Sequence, residues 1–267
     1  MPTVNLCILQ WNIRGYYTNL PFLQQAIEQT KRTIICLQET ILKPLKNIKL
    51  NNFSEPLRKD RVNRGGGGVL MFMHSLIPHL PLTITSPLEV VAVRVYLSNQ
   101  QITVCNIYLP PDYNNTNPIA ELNNILPFLS NTSIITVYSN SHHYSWGSSN
   151  AYVRGKLIDQ RITDSDLTLL NTPEPTFLTN TGSYSHIDLT IATHDIASKL
   201  MWSIHYSTFN SDHFPIIVNT PFPIASIEAT QKWHLKSADW EGFQRKLDLD
   251  IAFTTPSETC AQLMTTS

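Results

Sequence analysis

Six places in this sequence put a chemically capable side chain at or beside an apolar run. LCILQW ends at Asn12, TIICLQ at Glu39, ITVCNI at Tyr108 and IITVYS at Asn140. Asp188 lies inside SHIDLTI, and Asp212–His213 stand just before an apolar segment in NSDHFPI. In open α/β sheets ligands gather outside strand ends, so six such ends point to one shared site. The chemistry this set suits is polar. Carboxylates and amides offer oxygen to a hard cation, and an imidazole works best when an acid orients it. Taken singly, each residue also has a structural reading. Asn12 fits a turn, Glu39 a solvated strand end, and Tyr108 before Pro110–Pro111 a packing role. Asp212–His213 fits a turn, and His142 and His143 fit surface positions. Asp188 is the hardest to explain that way, because a carboxylate within a strand is costly unless paired.

The elements that must position these groups follow from the hydrophobic pattern. Leu6–Trp11 and Thr33–Leu37 read as buried strands, with Leu20–Lys31 between them at helical spacing. Gly65–Met73 is a glycine loop entering a strand, and Val90–Tyr96 and Ile102–Tyr108 are neighbouring strands. Ile119–Leu129 reads as a helix, Ser133–Tyr138 as a strand, Val153–Asp164 as a helix and Leu167–Leu170 as a short strand. Thr176–Ile191 reads as a hairpin around Thr179–Gly182, followed by strands at Met201–Tyr206 and Phe214–Val218. Many strands with interspersed helices suggest an α/β layered sandwich. The pattern fades after Pro223. We therefore expect one domain over 1–222 and a connector or tail over 223–267.

The chain has 267 residues, 42% of them hydrophobic and only 15% charged, with 19 basic against 20 acidic side chains and a pI near 6.7. Global charge gives no support to nucleic-acid binding, although a metal or a local patch can still hold phosphate. Cys7, Cys36, Cys105 and Cys260 lack metal-site spacing and read as thiols of a reducing compartment. No run approaches the roughly 18 apolar residues of a membrane span. The expectation is a soluble intracellular protein without a membrane partner.

WNIRG, LQET, IYLPP, the loop N-x-HH-x-x-WGS, S-x-IDLTI and SDHFPI occur in that order. Together they resemble the endonuclease domain of a non-LTR (LINE-type) retrotransposon. That domain is similar to apurinic/apyrimidinic endonucleases and DNase I, in the endonuclease/exonuclease/phosphatase superfamily. The resemblance covers about residues 4–220, and RGGGG and RGKLIDQ…DLTLLN fit it too. KWHLKSADWEGF resembles the connector that leads towards a reverse transcriptase in such elements. The resemblance implies a four-layer α/β sandwich of the DNase I-like type and Mg²⁺-dependent nicking of DNA, with Mn²⁺ as a substitute. It implies that Glu39 is the principal metal ligand with Asn12 beside it, and that Asp212 completes the shell. His213, held by Asp188, contacts the scissile phosphate, while Tyr108 and Asn140 position phosphate and water. Arg14, Arg64, His142, His143 and Trp146 are the expected DNA contacts, and Lys43, Lys46 and Arg61 lie in loops on the same side. The hairpin at 176–185 is a candidate for groove insertion. The implied partners are DNA, in the nucleus, and a downstream reverse transcriptase.

One departure matters. Where the family usually reads Gly-Asp-Phe-Asn before the two histidines, this chain reads Val137–Tyr138–Ser139–Asn140. Tyr138 stands in place of the acid that orients and deprotonates the attacking water. Tyrosine, with a reference pKa near 10, is a poor base at neutral pH, so the expectation is a strongly weakened or inactive nuclease, with His142 or His143 as a less favoured substitute base. The competing readings are a catalytically dead DNA-binding remnant of the same fold, a superfamily phosphatase acting on a small ester, and a plain interaction module.

Overall fold

The computed structural model describes residues 4–30, 33–62, 66–110, 118–129, 132–224, 239–242 and 244–246. The elements in chain order are β1 (Asn5–Asn12), α1 (Tyr16–Thr30), β2 (Ile34–Gln38), β3 (Leu57–Lys59), β4 (Val69–Met73), β5 (His79–Leu82), β6 (Glu89–Tyr96) and β7 (Gln101–Tyr108). There follow α2 (Pro118–Ile125), β8 (Ser133–Tyr138), α3 (Val153–Thr163), β9 (Leu167–Leu169), β10 (Phe177–Leu178), β11 (Tyr184–Ser185), β12 (Asp188–Thr193), α4 (His194–Ala197), β13 (Met201–Ile204) and β14 (Ile216–Pro223). The chain divides into two compact units, Met1–Ile227 and Glu228–Ser267. In the second, residues 240–242 and 244–246 are helical. Among the described residues no helix is long and apolar enough to cross a membrane.

Strand periodicity builds the layers, because alternate residues of a strand point to opposite faces. One six-stranded sheet runs β13-β14-β1-β2-β4-β3, and a second runs β5-β6-β7-β8-β12-β9. In β1, Leu6 and Ile8 face the second sheet, while Leu9 and Trp11 join Tyr16 and Leu23 of α1 on the outer face. In β8, Ile134 and Tyr138 face the first sheet, while Ile135 and Val137 join Leu122 and Ile125 of α2 and Ile158 of α3. Strands buried on both faces read as continuous apolar runs, as β1, β2 and β8 do. The result is helix, sheet, sheet, helix: the four-layer sandwich expected from the sequence.

The inter-sheet face is not wholly apolar. Gln10, Gln38, Asn106, Thr136 and Thr190 occupy that face by parity, and all are fully buried. Gln38 Nε2 donates to Asn106 Oδ1 at 2.7 Å, and Asn106 Nδ2 donates to the carbonyls of Leu37 and Leu70 at 2.9 and 3.1 Å. Thr136 Oγ1 donates to Asn106 Oδ1, and Thr190 Oγ1 donates to Gln10 Oε1 at 2.8 Å. All but the Thr136 bond, which links neighbours within the second sheet, tie the two sheets together directly beneath the strand ends that carry the candidate site.

Three local differences from the sequence reading have physical causes. The hairpin expected over Thr176–Ile191 is only the β10–β11 pair, Phe177 opposite Ser185 and Leu178 opposite Tyr184. Thr176 Oγ1 accepts from the amides of Ile187 and Asp188, which turns the chain out of the hairpin, and β12 pairs with β8 and β9 instead. Helix α1 starts at Tyr16 rather than Leu20, because Tyr16 is buried against Phe72. The strands β3 and β5 and the short α4 carry too weak a pattern to announce themselves. Of the cysteines, Cys7, Cys36 and Cys105 are buried and not in disulfides, and burial pushes the Cys36 thiol up to about 12. Cys260 lies outside the described residues.

Candidate active site

The parallel register of β1 on β2 places Asn12 opposite Gln38, so Asn12 and Glu39 emerge at the same end of adjacent strands. Glu39 itself has a left-handed backbone, with φ of 48°, which ends the strand sharply. Across the gap, the register of the second sheet sets Glu89, Tyr108, Tyr138 and Asp188 in one row over β6, β7, β8 and β12. Tyr108 Oη donates to Glu39 Oε1 at 3.1 Å, which joins the two sheets at the site.

The best-defined element is an acid–histidine pair. His213 Nδ1 lies 2.7 Å from Asp188 Oδ2, and each side chain is only 3% exposed. A buried carboxylate is tolerated when paired and hydrogen-bonded, which accounts for Asp188 within a strand. The imidazole is fixed on every side. Its ring lies 4.7 Å from that of Phe177 and packs edge-on against Tyr138 at 4.9 Å. The loop carrying it is held by Trp11 Nε1 donating to His213 O and by Ser211 Oγ donating to Asn12 O. The other ring nitrogen, Nε2, lies 3.8 Å from Asp212 Oδ1.

Asp212 is ion-paired through Oδ2 with Arg14, which extends from the loop after β1. Its Oδ1, Asp188 Oδ1 and Asn12 Nδ2 are buried and find no hydrogen-bond partner among the described residues. Carboxylate oxygens without donors in a site of this kind are what a cation or ordered water satisfies. The donor set fits a hard cation in kind: two carboxylates, Glu39 and Asp212, with the amide of Asn12. Among the described residues no group of three His, Cys, Asp or Glu side chains is arranged to hold a metal unaided. The remaining ligands would come from Asn12, water and a bound phosphate.

Tyr138 fills the place of the expected acid. It is 7% exposed, and its ring lies 5.3 Å from that of Tyr108. Burial pushes its phenol far above the usual tyrosine range, and the carboxylates of Glu39, Asp188 and Asp212 push it further. Burial and the Glu39 charge likewise raise Tyr108. Both phenols are therefore protonated at neutral pH. Asn140, with φ of 46°, donates from Nδ2 to Leu109 O at 2.8 Å, which anchors it at the rim.

The expected DNA contacts separate into distinct cases. Arg14 is exposed and available at the mouth, though engaged with Asp212. Arg64 lies outside the described residues. Trp146 is corrected to a core residue: it is 1% exposed, packs in the outer core of the second sheet, and donates from Nε1 to Ser141 O. His143 caps the turn at Tyr144–Trp146 by accepting from Ser145 N, and lies 3.4 Å from Asp159. His142 is half-buried against Tyr152, and burial and the nearby His186 lower its pKa. Lys43 and Lys46 are exposed. Arg61 is corrected from a phosphate contact to a paired side chain, bound through Nε to Glu89. The inter-sheet residues Gln38 and Asn106 were not foreseen; the only available signal was a polar residue at an inward parity inside an apolar run.

The family model described as "Endonuclease-reverse transcriptase" matches residues 102–217. A probable RNA-directed DNA polymerase from the transposon X-element of Drosophila melanogaster is 24% identical over 94% of this chain. The chain spans 28% of that relative's length. Among solved structures, the endonuclease domain of TRAS1, a telomere-specific non-LTR retrotransposon, superposes with a TM-score of 0.68 at 19% identity, covering 81% of this chain and 98% of that one. The catalytic domain of Xenopus laevis APE2 superposes at 0.65 with 17% identity, covering 84% of this chain and 94% of that one. The fold is thus the four-layer α/β sandwich of these endonucleases. The chain is similar to the endonuclease domains of non-LTR, LINE-type retrotransposon polyproteins.

Proposed function

We propose that this chain is a divalent-metal-dependent DNA endonuclease domain that nicks target DNA, leaving a 3′ hydroxyl for reverse transcription, and that Tyr138 leaves it slow. The observation that carries the reading is the buried Asp188–His213 pair at the same edge as Glu39 and Asn12. Mg²⁺, or Mn²⁺ in its place, held by Glu39 and Asn12 with Asp212 beside them, would polarise the phosphoryl oxygen and stabilise the leaving oxyanion. Asp188 accepts from His213 Nδ1 and so fixes the ring, and in the imidazolium form Nε2 also carries a proton to donate. His213 Nε2 then places a fixed donor on the phosphate as its charge grows, the arrangement in which hydrogen bonding assists most. Tyr108 donates to Glu39 and keeps that carboxylate aimed into the site. Arg14 adds a phosphate contact, which positions DNA rather than reading its sequence.

The water-activating step is the weak one. A phenol raised far above its ordinary range cannot accept a proton at neutral pH, and general-base help is typically worth ~10²–10⁴ in rate. That same observation favours a second reading, a DNA-binding remnant that no longer cuts. The proposed partners are target DNA in the nucleus and a reverse transcriptase carried by a longer polyprotein. The test is relaxation of supercoiled plasmid in Mg²⁺ by the parent chain and by Glu39→Ala. Slow nicking that both a chelator and Glu39→Ala abolish supports the endonuclease. Plasmid binding without any nicking supports the remnant. Hydrolysis of p-nitrophenyl phosphate with plasmid untouched would shift the reading to a small-ester phosphatase.

A further inference from the structure

Gly67 and Gly68, before β4, have no role in the mechanism above, yet each lies close against a side chain near the site. Gly67 and Gly68 both have positive φ, 76° and 88°. A Cβ on Gly67 would lie 2.3 Å from Cζ of Arg61, and one on Gly68 would lie 2.6 Å from Thr40 Oγ1, beside Glu39. The Arg61 guanidinium thus rests against the bare backbone of Gly67. Its other neighbour is the ring of Tyr108, whose centroid is 5.1 Å from Cζ. Its Nε is bound by Glu89, which also accepts from the Gly68 amide. Glu89 opens the cross-strand row that continues through Tyr108 and Tyr138 to Asp188. Arg61 Nη2 is buried and has no hydrogen-bond partner among the described residues.

We propose that Arg61 is a positioning residue of the candidate site: seated by Gly67 and Glu89, it holds the Tyr108 ring where its hydroxyl donates to Glu39. A guanidinium suits this task because it is planar, always charged, and stacks on an aromatic face while its edge binds a carboxylate. Lysine has neither the plane nor the fork. The inference rests on the endonuclease reading only for its kinetic consequence, since the placement of Tyr108 can be read without any turnover.

The test labels position 108 with 3-fluorotyrosine and follows its ¹⁹F resonance in the parent chain, in Arg61→Ala and in Gly67→Ala. Gly67→Ala keeps the cation but fills its seat. Nicking is measured with the same substitutions in a Tyr138→Asp background. Removing a residue that orients a ligand typically costs about 10- to 100-fold in activity. The expected result is a displaced resonance in both variants, and a kcat lower by about that factor with KM kept. Methylguanidinium should restore both readouts in Arg61→Ala. An Arg61→Ala, Glu89→Gln double variant removes the carboxylate that Arg61 neutralises, and should remain slow. An unmoved resonance in a cooperatively melting Arg61→Ala chain overturns the proposal. So does full activity in the double variant, because Arg61 would then only neutralise Glu89. If no chain nicks at all, the endonuclease reading fails, while the resonance still decides whether Arg61 places Tyr108.

Discussion

Two neighbouring strand ends in one row behave differently. At β12, Asp188 meets His213 in a closed, buried hydrogen-bonded pair with aromatic rings on either side. Next to it, at the end of β8, Tyr138 offers a protonated phenol packed between Tyr108 and that same histidine. The first end is a polar device that only makes sense as a unit, since neither member is stable in the dry interior without the other. The second is an apolar filler in a position that three nearby carboxylates would suit badly for a fourth. The comparison teaches that one strand end can hold a polar pair that needs both members while its neighbour is filled by packing; on the proposed function, the first would serve phosphate and the second would lack a base.

Stability measurements can break or sharpen this contrast. The largest effect is expected at the intact end. His213→Ala strands the Asp188 carboxylate in the core and should cost about 3–5 kcal/mol in urea unfolding, with nicking lost. Asn106→Leu breaks the inter-sheet bonds to Leu37, Leu70 and Gln38, and the bond to Thr136 within the second sheet, beneath the site. It should cost about 1–3 kcal/mol by the same measurement. Tyr138→Phe keeps the ring packing and should change stability by less than about 1 kcal/mol, with nicking unchanged. A cost there as large as at His213 would mean that the phenol belongs to a polar constellation, and the contrast would collapse. The smallest effect concerns pH. His142 has a folded pKa below its ordinary value, from burial and then the His186 charge. The unfolded chain therefore binds that proton more readily, so the contribution to stability is full above about pH 6.5 and is lost as pH falls below it. His142→Gln should flatten the decline in melting temperature below that pH, and an unchanged decline would assign the acid sensitivity elsewhere.

Much of this was legible in the residues. Long apolar runs fixed β1, β2, β6, β7 and β8 to within a residue or two, because strands buried on both faces leave no other pattern. Asp188 was legible as a paired group because a carboxylate in a strand demands a partner, while its pairing with His213 came from the family resemblance. The remainder depended on tertiary contacts. β3 and β5 are short edge strands with partly exposed residues, so no periodicity marks them. Trp146 was expected as a DNA contact from the resemblance of its loop, but the loop folds back and buries it. Arg61 read as a loop cation; only the register that brings Glu89 beside Tyr108 shows what it is seated against.

The most direct measurement is plasmid nicking in Mg²⁺ by the parent chain, Tyr138→Asp and the Tyr138→Asp, Glu39→Ala double variant. Restoring an acid at the end of β8 should raise the rate by roughly 10²-fold or more, at some cost in stability from a fourth carboxylate, and the double variant should be inactive. A parent chain that already nicks as fast as Tyr138→Asp would contradict the account, because another residue would then be activating the water.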